Sequence, residues 1–273
     1  MLNHLTLLLL PQRKKYVRTI LVWSLPVALL LPLMLLQRGH LASLQTKAST
    51  ATDQELQSEE QATAAVLDLA QKMPTFGFNN LVADWFFLRF LQYFGDDVLR
   101  AKTGYGLSPN FFQTIIPKDP YYSLFYLFLS GSTSNFAAQP EKSVAIMTQG
   151  LKQLSPTLPT DGFYIWRYRG VDELLYLGDG EAAQKSFQTA ADWARQSSHP
   201  DAEFIAANSQ GTADFLAINP LSKVAQVNAW ASVLSNAFDD ATRQRAIDRI
   251  EELGGTVTIS ESGGISLQMP PDD

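Results

Sequence analysis

The residues suited to acid–base or nucleophilic chemistry are few and scattered. There are three histidines, His4, His40 and His199, and no cysteine. The stretch "SSHPD" places Ser198, His199 and Asp201 in one turn. A hydrolytic triad needs such groups to converge beside an oxyanion site, and near neighbours in a turn rarely do. Asp201 reads more simply as a helix N-cap. Paired carboxylates stand at Asp96-Asp97, Asp172-Glu173, Asp239-Asp240 and Glu251-Glu252. Carboxylates are the ligands of divalent cations, yet each pair also fits a solvated helix end or face. "GYGLSP", Gly104 to Pro109, lacks the preceding strand and the Gly-Lys of a phosphate loop. Asp84 lies early in an apolar helix, with Arg89 too far round at i+5 for a pair within the helix. A cap or a contact to another helix is the simplest role for it. Without cysteine there are no disulfides, thiolate zinc sites, iron–sulfur clusters or covalent haem. The expectation is a non-enzyme: no catalytic, metal-binding or cofactor-binding residues, and no small-molecule substrate.

Those residues sit in a chain of 273 residues, 46% apolar, enough for a packed core without covalent staples. Its net charge of −6 is unevenly spread. Arg13, Lys14, Lys15, Arg18, Arg38 and Lys47 are the charges of the first 47 residues, and all 27 acidic residues follow them. An acidic body excludes nucleic acid as the natural partner. From Thr19 to Leu36 runs "TILVWSLPVALLLPLMLL" without a charge, which as a helix would span roughly 27 Å. The expectation is a single-pass transmembrane helix with a cytoplasmic basic N-terminus, by the positive-inside rule. The body would then be periplasmic, or lumenal in a thylakoid. A cleaved signal peptide is the rival, although Arg38 and Leu41 spoil the small-x-small site. A buried soluble helix is the third reading.

The body behind this head repeats at forty residues. Ser143, Ala183 and Lys223 are in step, as are Met147, Phe187 and Val227; Gly150, Ala190 and Trp230; and Leu154, Ala194 and Leu234. Steps of four, three and four within each unit draw one helical stripe. Pro140, Gly180 and Pro220 open these helices. First helices precede them at about 120–136, 161–177 and 201–218, with Gly131 and Gly211 eighty residues apart and Gly170 one place off, where small residues would admit a close neighbour. A two-helix unit cannot bury its own stripe, but a row of such units can. A degenerate unit precedes them, Asn80–Phe94 and Pro109–Ile116, with 95–108 as an inserted loop. Asp239–Leu253 caps the row, and the tail alternates around Gly263-Gly264 as a small hairpin. Domain limits follow as a basic N-terminus 1–18, the spanning helix 19–36, a linker 37–52, a helical entry region 53–118, three hairpins 119–238, a capping helix 239–255 and a tail 256–273.

Gly178-Asp179 with Ala183, Phe187 and Ala190, and Gly131 with Ser143, Met147, Gly150 and Pro156, resemble the tetratricopeptide-repeat (TPR) superfamily over about residues 120–235. The third unit departs from the pattern at Lys223 and Trp230. "LVADWFFLRFLQYFGDD" with "DPYYSLFYLFLSG" is similar to the leading part of bacterial, including cyanobacterial, membrane-anchored repeat proteins. The fold class implied is all-α: one transmembrane helix, then a TPR-like α-solenoid of helical hairpins and a short β-hairpin-like tail.

In that family first helices line a groove for an extended peptide or a helix. The matching positions here are Phe125, Phe128, Ser132 and Asn135; Tyr168, Asp172 and Tyr176; and Asn208, Thr212 and Phe215. Core burial is the competing role for most of these aromatics. Arg167 and Arg169 are the nearest approach to a carboxylate clamp. Tyr121, Tyr122, Phe125, Tyr126 and Phe128 exceed one helix face, so that helix is buried all round or meets a partner. The expected function is a membrane-anchored scaffold or assembly factor that docks protein segments of a membrane complex. The alternative is a stoichiometric structural subunit of such a complex, possibly a photosynthetic one.

Overall fold

The computed structural model describes residues 52–218, 222–235, 237, 239–259 and 265–271. The chain divides into two units after Thr52, the second being Asp53–Asp273. All described residues but Thr52 belong to the second. The expected N-terminus 1–18, spanning helix 19–36 and nearly all of the linker 37–52 lie outside the described residues.

The second unit is helical with one short sheet, in the order α1 (Asp53–Lys72), α2 (Asn79–Phe94), α3 (Asp97–Thr103), α4 (Ser108–Ile115), α5 (Leu124–Leu129), a π-helical segment π1 (Ser130–Phe136), α6 (Pro140–Leu151), α7 (Phe163–Val171), a second π segment π2 (Asp172–Tyr176), α8 (Gly180–Gln196), α9 (Ala202–Ile218), α10 (Lys223–Ser235), α11 (Asp240–Glu252), β1 (Thr256–Ile259) and β2 (Ile265–Gln268). The strands pair antiparallel, with Val257 opposite Leu267. The expected class, all-α with a transmembrane helix, is therefore corrected. Among the described residues no helix is long and apolar enough to cross a membrane. The longest, α1, carries Glu55, Glu59, Glu60 and Asp68 along its length.

The aromatic core forms first along the chain. Ala83, Phe87 and Phe90 make one buried face of α2, and Phe111, Phe112 and Ile115 make one of α4. Phe90 is enclosed by Phe87, Phe94, Phe111, Phe112 and Phe128, with ring centroids 4.7–6.1 Å apart. Residues 95–108, expected as a loop, hold α3 instead. Asp96 caps it by accepting from Leu99 N–H at 3.1 Å. Arg100 is buried under it, 3.9 Å from the Tyr93 ring and 2.6 Å from the Gly104 carbonyl.

The forty-residue step is visible in the backbone of the next two hairpins. Ala137 N–H donates to Ser132 O at 3.0 Å, and Leu177 N–H to Asp172 O at 3.2 Å. Gln139 N–H donates to Thr133 O, and Asp179 N–H to Glu173 O, both at 2.8 Å. Ala138 and Gly178, the residues between, both have positive φ, 51° and 66°. Each first helix therefore closes through a π turn and a left-handed residue into its second helix. Ser143, Ala183, Met147, Phe187, Gly150 and Ala190 are all buried.

The third unit departs from this plan. α9 packs along α8, but α10 does not return along α9. It packs on α11 and across π1 and π2. Val227, Trp230 and Leu234 are buried with Ala138, Ala246 and Ile250, and Tyr176 packs on that cluster from π2. Lys223, the in-step partner of Ser143 and Ala183, is exposed. Trp230 has the volume to seal the turn end of the first two hairpins, and no small residue is needed where no first helix approaches.

The glycines correct a further expectation. A Cβ at Gly131 or Gly211 would meet nothing within 4 Å, while one at Gly170 would lie 3.0 Å from Phe187. Close approach thus occurs at Gly170 and not at the pair eighty residues apart. Gly150 is tighter still, because a Cβ there would drive into the Tyr126 hydroxyl and Ile116. Gly150→Ala is expected to lose about 1–3 kcal/mol by overpacking. Gly211→Ala should instead gain about 0.5–1 kcal/mol from helix propensity. Chemical denaturation of the two variants checks both signs.

Candidate functional site

The ten expected groove residues do not form one groove. Phe125 is fully buried in the aromatic core, with Phe128 half-buried beside it. Ser132 and Asp172 are buried, so neither faces a partner. Asn135, Tyr168 and Tyr176 are half-buried. Tyr168 stacks on Tyr164, and Tyr176 meets Trp230 edge-on at 5.8 Å. Thr212 is half-buried and donates to the Asn208 carbonyl, while Asn208 and Phe215 are exposed on α9. The reason is positional. The faces of α5, π1, α7 and π2 expected to line a groove are used for hairpin-to-hairpin packing and for contact with α10. Arg167, the nearest clamp residue, is engaged with Asn208 at 2.9 Å and Ser209 at 2.7 Å. Tyr121 and Tyr122, just before α5, and Leu127 on it remain about half exposed beside buried Phe125 and Tyr126, so α5 is buried on most sides but not all.

What the structure builds around Asp172 is a buried polar knot. Its carboxylate accepts from Ser130, Ser134 and Ser143 hydroxyls, each at 2.7 Å. These donors come from π1 and α6, so one side chain ties the second hairpin to both arms of the first. Burial raises its pKa from 3.8 to about 6, against the lowering effect of the three hydroxyls. The buried Glu173 beside it accepts from Arg169 at 2.8 Å and from Ser186 at 2.6 Å. Asp172 and Glu173 are the forty-residue equivalents of Ser132 and Thr133, whose hydroxyls are buried without a hydrogen-bond partner among the described residues. Asp172 itself is fully buried, and the hydrogen bonds of the knot join the two hairpins.

His199, Asp239, Asp240 and Glu252 make local contacts. His199 Nδ1 accepts the Asp201 amide proton at 3.2 Å, so it cannot simultaneously hand a proton to the Asp201 carboxylate. The ring lies edge-on to Phe163 at 5.6 Å, and Ser198 is exposed. Asp239 caps α11 through Thr242 N–H at 2.9 Å, Asp240 pairs with Arg243 and Glu252 with Arg249. Among the described residues no three His, Asp or Glu side chains are grouped to hold a metal ion.

The open surface lies on α9. Ala202, Ile205, Ala206, Ser209, Ala213 and Leu216 are buried. On the opposite side Phe204, Phe215 and Ile218 are 71%, 60% and 80% exposed. With Asn208 and Gly211 they follow steps of four, three, four and three, one continuous ridge along the helix. Beside the ridge runs a cleft of about 840 Å³, lined by Glu203, Ala207, Gln210 and Asp214 of α9 and by Arg195 and His199 across from them. Arg195 is held by Asp192 and Gln210, both at 2.7 Å. α10 packs on α11, π1 and π2 rather than along α9. The sequence contains the ridge in Phe204, Phe215 and Ile218, but only the packing shows that they face outward. No family model matches this chain, and neither does any curated protein or solved structure, so no family, the tetratricopeptide superfamily included, is identified for it.

Proposed function

We propose that this chain is a non-enzymatic docking scaffold, and that α9 receives a helix of a partner protein. The observation that carries the reading is the outward ridge of Phe204, Phe215 and Ile218 on a helix whose hairpin partner is elsewhere. An apolar ridge at helical spacing suits an amphipathic helix laid along it. Gly211, open on that side, lets a partner backbone come close between the two phenylalanines. α9 carries Glu203 and Asp214 and no Lys or Arg. The partner helix therefore has an apolar face flanked by basic residues.

The test is co-purification of the full chain from its native cells, followed by the double variant Phe204→Asp, Phe215→Asp. Both positions are exposed, so helicity and melting should stay close to those of the parent. A polypeptide retained at fixed ratio by the parent should be lost, with affinity down by at least about 30-fold if either phenylalanine is a binding anchor. Equal retention by the variant would refute the proposal.

A further inference from the structure

A second apolar face, on α2, fits a different occupant. Phe78, Leu81, Trp85 and Leu88 are between 57% and 66% exposed. They are spaced three, four and three, the a/d seam of a heptad, and lie opposite Ala83, Phe87 and Phe90, which face the core. The next seam position is Gln92, polar and exposed. In that frame Asp84 occupies g and Arg89 occupies e, on opposite edges of the seam. Five residues is the spacing at which g of one strand meets e of the next heptad on its partner in a parallel two-stranded coil. The pair that cannot close within one helix closes between two.

We propose that the chain forms a parallel two-fold dimer through α2, with Phe78, Leu81, Trp85 and Leu88 of two copies interdigitated. Asp84 of each copy then pairs with Arg89 of the other. An antiparallel arrangement centred on Trp85 would bring Asp84 close to Asp84 and leave the two Arg89 roughly 12 Å apart along the axis, so only the parallel one pairs Asp84 with Arg89. A bilayer surface would favour basic residues on both flanks; here one flank is acidic. The seam is short, roughly 24 Å for the 16-residue helix. The body already holds α2 helical, so association does not bear the cost of helix nucleation that makes short isolated coils unstable.

The absence of cysteine makes the test clean. In the full chain, Leu81→Cys and Leu88→Cys should each give a disulfide-linked dimer under mild oxidation, while Glu181→Cys, exposed elsewhere, should not. By sedimentation, Asp84→Arg alone and Arg89→Asp alone should each weaken self-association on the order of tenfold. The double exchange should restore it. All five substituted positions are exposed, so a folded variant is expected in every case. The proposal is overturned by a monomer that gives neither cross-link. It is equally overturned by cross-linking only when the Leu81→Cys and Leu88→Cys chains are mixed, or by Trp85-dependent binding to phosphatidylcholine vesicles without self-association. None of these outcomes bears on α9, so this proposal and the docking role fail separately.

Discussion

Asp172→Ala is expected to destabilise the protein by about 3–5 kcal/mol, and Asp172→Asn to leave it folded but with an altered response to pH. The alanine variant removes the acceptor shared by Ser130, Ser134 and Ser143 and leaves three hydroxyls and a void between two hairpins. The asparagine variant keeps a carbonyl oxygen in place, and serine hydroxyls can turn to accept from the new amide. The sign of the pH effect follows from the raised pKa. The folded carboxyl holds its proton up to about pH 6, whereas the ordinary value is 3.8. Between these limits the folded state binds more protons than the unfolded one, so stability falls as pH rises. The contribution is fully present below about pH 4, and roughly 3 kcal/mol of it is lost by neutral pH. Melting curves from pH 4 to 8 should therefore show a parent whose stability relative to Asp172→Asn declines across this window. Parallel curves would show that Asp172 is ionised throughout.

Trp230→Ala should cost about 3–5 kcal/mol, the usual range for a fully buried tryptophan. Its ring meets Tyr176 edge-on at 5.8 Å and lies under the Arg249 guanidinium at 5.6 Å. Around it α10 and α11 are fixed over the hairpin turns. Arg245 donates to the Ala138 carbonyl at 2.7 Å, and Gln226 fills the space that a side chain at Gly178 would take. With Trp230 truncated, α10 and α11 are held to the hairpins by these polar contacts and the smaller apolar side chains of the same cluster, Val227, Leu234 and Ile250 among them. Limited proteolysis should then cut within 222–252 well before it cuts within 79–196. Uniform resistance along the chain would mean that α10 is held by something other than its tryptophan.

The sequence carries helix positions well, because steps of three and four in apolar residues are a direct image of burial. The forty-residue step has an equally local cause: both hairpin turns are built from the same backbone hydrogen bonds, forty residues apart. Gly178 announces its left-handed turn, but Ala138 takes the same conformation without announcing it. The π segments are invisible to periodicity, since one wider turn shifts the register without changing residue types. Asp172 is misleading for a related reason. An acid on a mixed polar–aromatic helix resembles a surface contact until the serines of the neighbouring hairpin are seen to converge on it. The third unit keeps the phase of the stripe in Val227, Trp230 and Leu234, yet phase says only which side is buried, not against what. The aromatic and apolar residues on α2 and α9 that face outward are the same types as those facing inward, and only packing separates them.

A photoreactive benzoylphenylalanine placed at Phe215 in the full chain, in its native cells, tests the docking role of α9 most directly. It should form one adduct of defined mass with a second polypeptide, and that adduct should vanish when Gly211→Arg blocks the middle of the ridge. The same probe at Phe125, buried in the aromatic core, should form none. An adduct at Phe215 that survives Gly211→Arg, or no adduct at Phe215 at all, would contradict docking on this helix.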